Sequence, residues 1–403
     1  MPGRAADPTN AGPSRRCPRP RKQPTPGKRR WRRTSSCALG SLGVSPQHTG
    51  DSGRPPINRH NPGTGTPAPK RTGFRYRYAA RRHARPPLAG IRSRVPETIP
   101  VIVGPTAGGK TTLAVRIARL LAEQNRPAEI ISADSVQIFR GMDIGSAKPD
   151  EHERGGIPHH LIDVVEPEDR FTVHDWLAAA ERAVAEIHGR GAVPIVVGGT
   201  NLYIKAFLDG LFEGPEPDEA LREQLRALTQ AERRAELERV DPTAAERIHP
   251  NDERRTVRAL EVYRQTGVPM SEHQKQWDRQ PRPGAVLLGL DWPTEAINRR
   301  INLRVKQMME AGLLDEVRRL CPRLGPQARE ALGYKQLLRH LAGDWTLEEA
   351  VEQIKIETRR FAKNQRTWLR RLRTTPGSRW FCPHQEQPEK IARGMVDACR
   401  FSR

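Results

Sequence analysis

The chain has 403 residues and a formal net charge of +22 at pH 7. A strongly basic protein usually binds nucleic acid, but residues 1–95 contain 22 Lys and Arg against only two acids, Asp7 and Asp51. The same segment holds 15 prolines and few aliphatic residues, so it cannot bury enough apolar surface to offset its ordering entropy. We predict that residues 1–95 are a disordered basic extension or a start-site artefact, followed by one core with a subdomain.

The cysteines and the hydropathy pattern exclude two further classes of protein. The five cysteines form no C-x-x-C pair, so neither a structural zinc site nor a disulfide framework is expected. We expect the protein to work in a reducing cytoplasm. No apolar run reaches the roughly 18 residues that a membrane span needs, so no membrane partner is predicted.

The most informative motif is G-P-T-A-G-G-K-T at residues 104–111, between the apolar run 99–103 and the helical pattern 113–118. A glycine-rich turn between a strand and a helix directs backbone N–H groups and the helix dipole at an anion. A lysine there adds positive charge, and the following hydroxyl can ligate Mg²⁺. We predict a phosphate or diphosphate site, with Mg²⁺ on Thr111. Its residues are Gly104, Pro105, Thr106, Ala107, Gly108, Gly109, Lys110 and Thr111.

Strand and helix patterns alternate after this loop. Residues 128–132, 159–165 and 192–197 have strand character, and residues 171–190 have apolar side chains at helical spacing. This predicts an α/β fold: a P-loop NTPase-like parallel sheet flanked by helices. Ligands of such sheets bind outside the carboxyl ends of the strands. Asp134 and Thr200 follow two of the strands, so we expect both near the loop.

The remaining segments define the domain organisation. We predict a catalytic core at 96–212 and 284–375, a helical insertion domain at 213–283, and a C-terminal tail at 376–403. Long helices are expected at 294–320 and 347–372. The second is strongly basic, and a charged helix is usually a solvated face, although this density of charge also suits a phosphate backbone. Its basic residues are Lys355, Arg359, Arg360, Lys363, Arg366, Arg370, Arg371 and, just beyond it, Arg373.

Further strings occur in the order seen in one family. They are S-A-D-S-V-Q at 132–137, G-M-D-I-G-S-A-K-P at 141–149, G-G-T-N-L-Y at 198–203, I-H-P-N-D at 248–252, L-G-Y-K at 332–335 and F-A-K-N-Q-R-T-W at 361–368. In these, from about residue 98 to 375, the chain resembles the tRNA dimethylallyltransferase (tRNA isopentenyltransferase) family. The resemblance implies transfer of a dimethylallyl group from dimethylallyl diphosphate to the exocyclic amine of the adenosine 3′ of the anticodon, position 37, in tRNAs reading codons that begin with U. It also implies a monomer that binds the tRNA anticodon stem-loop.

The resemblance also assigns site residues. Asp134 matches the general base, although an Asp after a strand is also a common turn residue. Thr200 and Arg304 match residues that contact the departing diphosphate, where fixed donors stabilise developing charge. The base must leave its stack to reach them. The matched tRNA contacts are Asp134, Ser135, Val136, Gln137, Thr200, Arg222, Arg254, Arg255, Arg258, Gly333, Tyr334, Lys335, Arg359, Arg360, Lys363 and Gln365.

Three positions depart from the family pattern, and three other functions compete. Gly108 replaces a usual Ser, Phe139 a common Tyr, and Asn364 a common basic residue. A small-molecule kinase would share the phosphate loop, but it would not explain the insertion and the basic helix. An adenylate prenyltransferase would share the chemistry without needing RNA-facing segments. A basic RNA-binding module acting through residues 1–95 would leave the loop unexplained.

Overall fold

The structure is a computed structural model that describes residues 98–212, 214–274 and 282–400, without the side chain of Arg400. The predictions made for residues 1–95 therefore lie outside the described residues. None of the described helices is long and apolar enough to cross a membrane.

A parallel sheet forms the centre of the protein, which confirms the predicted α/β class. Its strands are β1 (Ile99–Val103), β2 (Ala128–Ala133), β3 (His159–His160), β4 (Val193–Gly198), β5 (Ala285–Leu290) and β6 (Arg379–Phe381). They lie in the order β3-β2-β4-β1-β5-β6, and each neighbouring pair is parallel. Every residue of β1 is buried, as expected for a strand covered by helices on both faces. The carboxyl ends of β1, β2 and β4 therefore lie side by side.

Helices follow the strands along the chain and cover the sheet. Their bounds are α1 (Lys110–Ala122), α2 (Glu151–Arg154), α3 (Val173–Gly189), α4 (Asn201–Asp209), α5 (Glu219–Ala227), α6 (Gln230–Val240), α7 (Pro242–Arg247), α8 (Glu253–Thr266), α9 (Met270–His273), α10 (Thr294–Glu310), α11 (Leu313–Leu320), α12 (Pro326–Arg329), α13 (Tyr334–Leu341), α14 (Leu347–Leu372) and α15 (Pro388–Arg400). Helix α1 packs against α15, and α14 packs against α10 and α13.

A buried aromatic contact fixes the end of β2, where the candidate site begins. The Trp176 indole of α3 is fully buried and donates from Nε1 to the Ser132 carbonyl oxygen at 2.9 Å. Its ring stacks on Tyr203 of α4, with the ring centroids 4.6 Å apart. Helices α3 and α4 are thereby attached to the end of β2 at Ser132, two residues before Asp134.

The segment between α4 and β5 contains α5 to α9 and has an apolar cluster of its own. Leu225, Leu237 and Leu260 are fully buried at its centre. Glu261 of α8 is buried as well and pairs with Arg222 at 2.9 Å and with Arg258 at 2.6 Å. The Arg222 pair joins the first helix of this segment to α8, and the Arg258 pair lies within α8.

Three predicted elements differ from the structure, and two of them differ for a local reason. The predicted strand 159–165 is only His159–His160, because Leu161 and Asp163 have φ values of 60° and 57°, which interrupt an extended backbone. The predicted helix 294–320 divides at Gly312, where φ is 93°.

The predicted C-terminal tail is the third difference, because it forms part of the core. Strand β6 pairs with β5, and α15 packs on α1. Ile391, Met395 and Cys399 are buried at helical spacing, and this apolar pattern was the signal for a packed helix.

Candidate active site

The phosphate loop, residues 104–111, turns from β1 into α1 in a conformation suited to an anion. Ala107 and Gly109 have φ values of 57° and 80°, and the Gly108 N–H donates to the Pro105 carbonyl at 3.1 Å. Gly109 caps α1, and the first N–H groups of a helix have no acceptor within the helix. The N–H groups at the start of α1 are therefore available to an oxyanion.

Two side chains hold the outer side of the phosphate loop. Trp292 Nε1 donates to the Gly108 carbonyl at 3.2 Å, and Arg300 Nε donates to the Ala107 carbonyl at 2.7 Å. The Arg300 guanidinium also lies over the Trp292 ring, 4.9 Å from its centroid. In a trans peptide the next N–H points opposite to the carbonyl, so the Gly109 N–H points away from Trp292. Sequence reasoning missed both side chains, because no motif connects them to the loop.

Lys110 and Arg304 bring positive charge to the loop from two helices. Lys110 Nζ donates to the Pro105 carbonyl at 2.9 Å. Burial lowers the pKa of Lys110 to about 8, with Asp134 acting against the shift and Arg304 adding to it. Burial also lowers the pKa of Arg304, and Asp134 again opposes the shift. Lys110, Asp134 and Arg304 are therefore close enough to act on one another, although they are far apart in sequence.

Asp134 follows β2 and is held by the turn that it begins. Its Oδ1 accepts hydrogen bonds from the backbone N–H groups of Val136 at 2.9 Å and Gln137 at 3.3 Å. Among the described residues no hydrogen bond to Oδ2 is present. Oδ1 of Asp134 thus stabilises the turn, while Oδ2 remains available to a substrate.

Thr200 joins the end of β4 to the turn after β2. Its N–H donates to the Ala133 carbonyl at 3.2 Å, and its Oγ1 accepts from the Ser135 N–H at 3.0 Å. These bonds hold the ends of β2 and β4 together next to Asp134.

Gln365 of α14 reaches the same edge of the sheet. It is 2% exposed, its Oε1 accepts from the Thr106 N–H at 2.8 Å, and its Nε2 donates to the Gly199 carbonyl at 2.8 Å. The resemblance predicts Gln365 as a tRNA contact, but in the described structure its amide is used inside the protein.

A second buried network supports residues 141–149. Glu316 of α11 is 2% exposed and accepts from the N–H groups of Asp143, Ile144 and Gly145 at 2.8–3.1 Å. It also accepts a hydrogen bond from the Tyr334 hydroxyl, with the two oxygens 2.6 Å apart, and burial raises the pKa of that phenol. Tyr334 is fully buried, so its predicted role as a tRNA contact has no accessible side chain to support it.

Gln137 connects this network to the turn at Asp134. Its Oε1 accepts from the Ser132 hydroxyl at 3.0 Å, and its Nε2 donates to the Ala147 carbonyl at 3.2 Å. Gln137 is itself buried. The segment 141–149 therefore supports the turn at Asp134 through its hydrogen bond to Gln137.

The other predicted tRNA contacts fall into two groups. Arg254, Arg255, Arg360 and Lys363 are exposed. The second group is occupied by protein partners: Arg222 and Arg258 with Glu261, Lys335 with Glu357 at 2.6 Å, and Arg359 with Asn302 at 2.6 Å. Of these residues, the contacts of Arg222 and Arg258 lie in the insertion, away from the loop.

The fold and the site define the class of protein. A phosphate loop that carries Lys110 stands beside a carboxylate at the carboxyl edge of a parallel sheet. This arrangement is that of a P-loop enzyme acting on a phosphorylated substrate.

Comparison with known proteins gives the family. A family model described as IPP transferase matches residues 137–372, and one described as isopentenyl transferase matches residues 97–163. A tRNA dimethylallyltransferase of Syntrophobacter fumaroxidans is 44% identical over 298 residues, which cover 72% of this chain and 85% of the relative. The chain belongs to the IPP transferase family.

Solved structures agree with this assignment. The tRNA isopentenylpyrophosphate transferase from Bacillus halodurans is 38% identical, with a TM-score of 0.56 over 76% of this chain and 98% of that one. A eukaryotic dimethylallyltransferase acting on tRNA is 28% identical, with a TM-score of 0.61 over 71% of this chain and 74% of that one.

Proposed function

We propose that this protein is a tRNA dimethylallyltransferase. It transfers a dimethylallyl group from dimethylallyl diphosphate to the exocyclic amine of the adenosine at tRNA position 37, in tRNAs that read codons beginning with U. The observation that carries the proposal is that the phosphate loop, Asp134 and Thr200 follow neighbouring strands of the parallel sheet, with Thr200 bonded to Ser135 beside Asp134, in a chain whose relatives are named tRNA dimethylallyltransferases.

The phosphate loop holds the diphosphate of the donor in this proposal. As the allylic C–O bond breaks, its electron pair leaves with the diphosphate, whose charge increases. Lys110, Arg304, Thr200 and the N–H groups at the start of α1 stabilise that charge, and fixed donors of this kind are usually the largest catalytic contribution. The adenine amine forms the new C–N bond to the same carbon.

Asp134 takes the proton that the amine loses. The N–H groups of Val136 and Gln137 fix Oδ1, which orients the carboxylate. Oδ2 is then the oxygen that accepts the proton. A carboxylate in this position contributes about 10² to 10⁴ in rate.

Mg²⁺ fits the donor set at the loop. In the described part of the chain no three His, Cys, Asp or Glu side chains cluster as a metal site. Mg²⁺ needs no such cage, since it is commonly held by one or two protein oxygens, phosphate oxygens and water. We assign the Thr111 hydroxyl, at the second position of α1, as the protein ligand. The ion would add positive charge next to the leaving group.

The RNA half of the site consists of residues around the turn at Asp134 and on α8, α13 and α14. Exposed Arg254, Arg255, Arg360 and Lys363 would contact phosphates, which position the anticodon loop. The adenine must leave its stack to reach Asp134, which costs a few kcal/mol. Ser135 and Val136, which are half-buried, line the approach in this proposal, whereas Gly333 is buried.

The state of the cysteines bears on the compartment in which the protein works. Among the described residues Cys321, Cys382 and Cys399 are free thiols, which suits a reducing cytoplasm. We further propose that the enzyme acts as a monomer, because the site is assembled from one chain.

An acceptor and donor comparison tests the proposal. Purified protein is given dimethylallyl diphosphate with tRNA or with AMP, and separately ATP with tRNA. We expect diphosphate release only with the prenyl donor and tRNA. Prenylated AMP would indicate an adenylate prenyltransferase, and stoichiometric ATP consumption would indicate a kinase.

A further inference from the structure

Gln365 is the side chain that bridges the two halves of the candidate site. Its Oε1 and Nε2 bond to Thr106 in the phosphate loop and to Gly199 after β4, both at 2.8 Å. The fit is tight, since a Cβ on Gly199 would lie 2.7 Å from Nε2. The amide therefore fixes the distance between the loop and the β4 end that carries Thr200.

The loss of these bonds would leave two half-buried backbone groups without these partners. The Thr106 N–H and the Gly199 carbonyl belong to half-buried residues that bond to Gln365 of α14, and Gln365 itself is 2% exposed. A backbone group that is shielded from water and has no partner is unfavourable, so the loop or the helix would shift to restore a bond. The loop geometry thus depends on the position of α14.

Helix α14 also presents the exposed basic side chains that face solvent. Arg360, Lys363 and Arg370 are exposed on the same helix that buries Gln365. The helix is tied to α10 through Arg359 to Asn302, at 2.6 Å, and through Arg366 to Thr294. Since α10 carries Arg300 and Arg304, a displacement of α14 reaches the loop from both sides.

We propose that Gln365 is a positioning residue that couples RNA docking on α14 to the geometry of the phosphate loop. The inference rests on the proposed function, in which the loop holds diphosphate and α14 contacts RNA. It assigns Gln365 no contact with tRNA. Its amide instead transmits the position of α14 to Thr106 and Gly199.

The test measures binding of inorganic diphosphate, with Mg²⁺, in the presence and absence of tRNA. For wild-type protein we expect the two dissociation constants to differ severalfold, because sites that are coupled change each other's affinity. In Gln365→Leu the ratio should fall to about one. The affinity for tRNA alone should change less than twofold, and kcat should fall about 10-fold or more.

A second variant and a control separate positioning from folding. Gln365→Glu keeps an acceptor for Thr106 but places a second oxygen against the Gly199 carbonyl, so it should also lose the coupling while retaining its size. Gln353→Leu lies on the same helix, about 18 Å away at 1.5 Å per residue, and should behave as wild type. Thermal unfolding followed by circular dichroism shows which variants are folded.

The possible results distinguish a failure of the Gln365 inference from a failure of the proposed function. A ratio that stays at the wild-type value in folded Gln365→Glu would overturn the inference, as would a wild-type ratio of one. A loss confined to tRNA affinity would also overturn it and would make Gln365 an RNA contact. Wild-type protein that binds no diphosphate at all would contradict the proposed function instead.

Discussion

The two carboxylate oxygens of Asp134 have different surroundings, and this separates its structural role from its chemical one. Asp134→Asn keeps an acceptor for the Val136 and Gln137 N–H groups but removes the base. We expect the single-turnover rate to fall about 10² to 10⁴-fold with donor affinity within twofold of wild type. Asp134→Ala should lower the single-turnover rate by the same factor and should also lower the free energy of unfolding. An unchanged rate with weakened donor binding would make Asp134 only a structural residue.

Lys110 gives the donor site a pH dependence. Its pKa is lowered to about 8 by burial, so above that pH the free enzyme loses the charge that binds diphosphate. Bound diphosphate favours the charged form, and donor affinity should therefore fall as pH rises through about 8. Calorimetric titration with dimethylallyl diphosphate measures this. Lys110→Met should bind weakly at all these pH values, and an equal pH dependence in that variant would exclude Lys110 as the cause.

At the scale of elements, Glu316 connects α11 to residues 141–149 and to α13. Glu316→Ala would leave three backbone N–H groups and the Tyr334 hydroxyl without an acceptor. We expect the free energy of unfolding to fall by about 3 kcal/mol or more, whereas Tyr334→Phe, which removes one donor, should lose about 1 kcal/mol. Urea denaturation measures both. Equal losses in the two variants would show that the backbone bonds to Glu316 contribute little.

The phosphate loop, Asp134 and Thr200 could be predicted from the sequence because local motifs place them at the ends of neighbouring strands. Trp292, Arg300 and Glu316 could not, since each acts on a loop more than 100 residues away through one side chain. Tyr334 and Gln365 lie in motifs that match RNA contacts, but their burial depends on the packing of α11, α13 and α14. Motif position alone does not distinguish an inward from an outward side chain.

The domain limits show the same difference between local and long-range information. The apolar spacing of Ile391, Met395 and Cys399 is local, but the pairing of β6 with β5 depends on the whole sheet. The insertion at 213–283 is predicted from polar helices without a strand pattern, and in the structure its helices have an apolar cluster of their own. The ion pairs of Glu261 within it require the fold.

At the scale of the whole molecule, the proposed site residues all fall between positions 104 and 365. The basic segment 1–95 lies outside the described residues. A chain that starts at Val95 should fold and reach nearly the full-length rate at saturating substrates. Its tRNA affinity should depend less steeply on salt, because fewer phosphate contacts release fewer counterions. Loss of catalysis in the folded short chain would contradict this division.

In the proposed reaction a prenyl group moves from the diphosphate held by the loop to one adenosine of tRNA. The direct measurement uses deuterium-labelled dimethylallyl diphosphate and unmodified tRNA, followed by mass spectrometry of nuclease fragments and of single nucleosides. We expect one labelled dimethylallyl group per tRNA, on N6 of the adenosine at position 37, in wild type and hardly any in Asp134→Asn. Label on another nucleotide, or equal labelling by both proteins, would contradict the account.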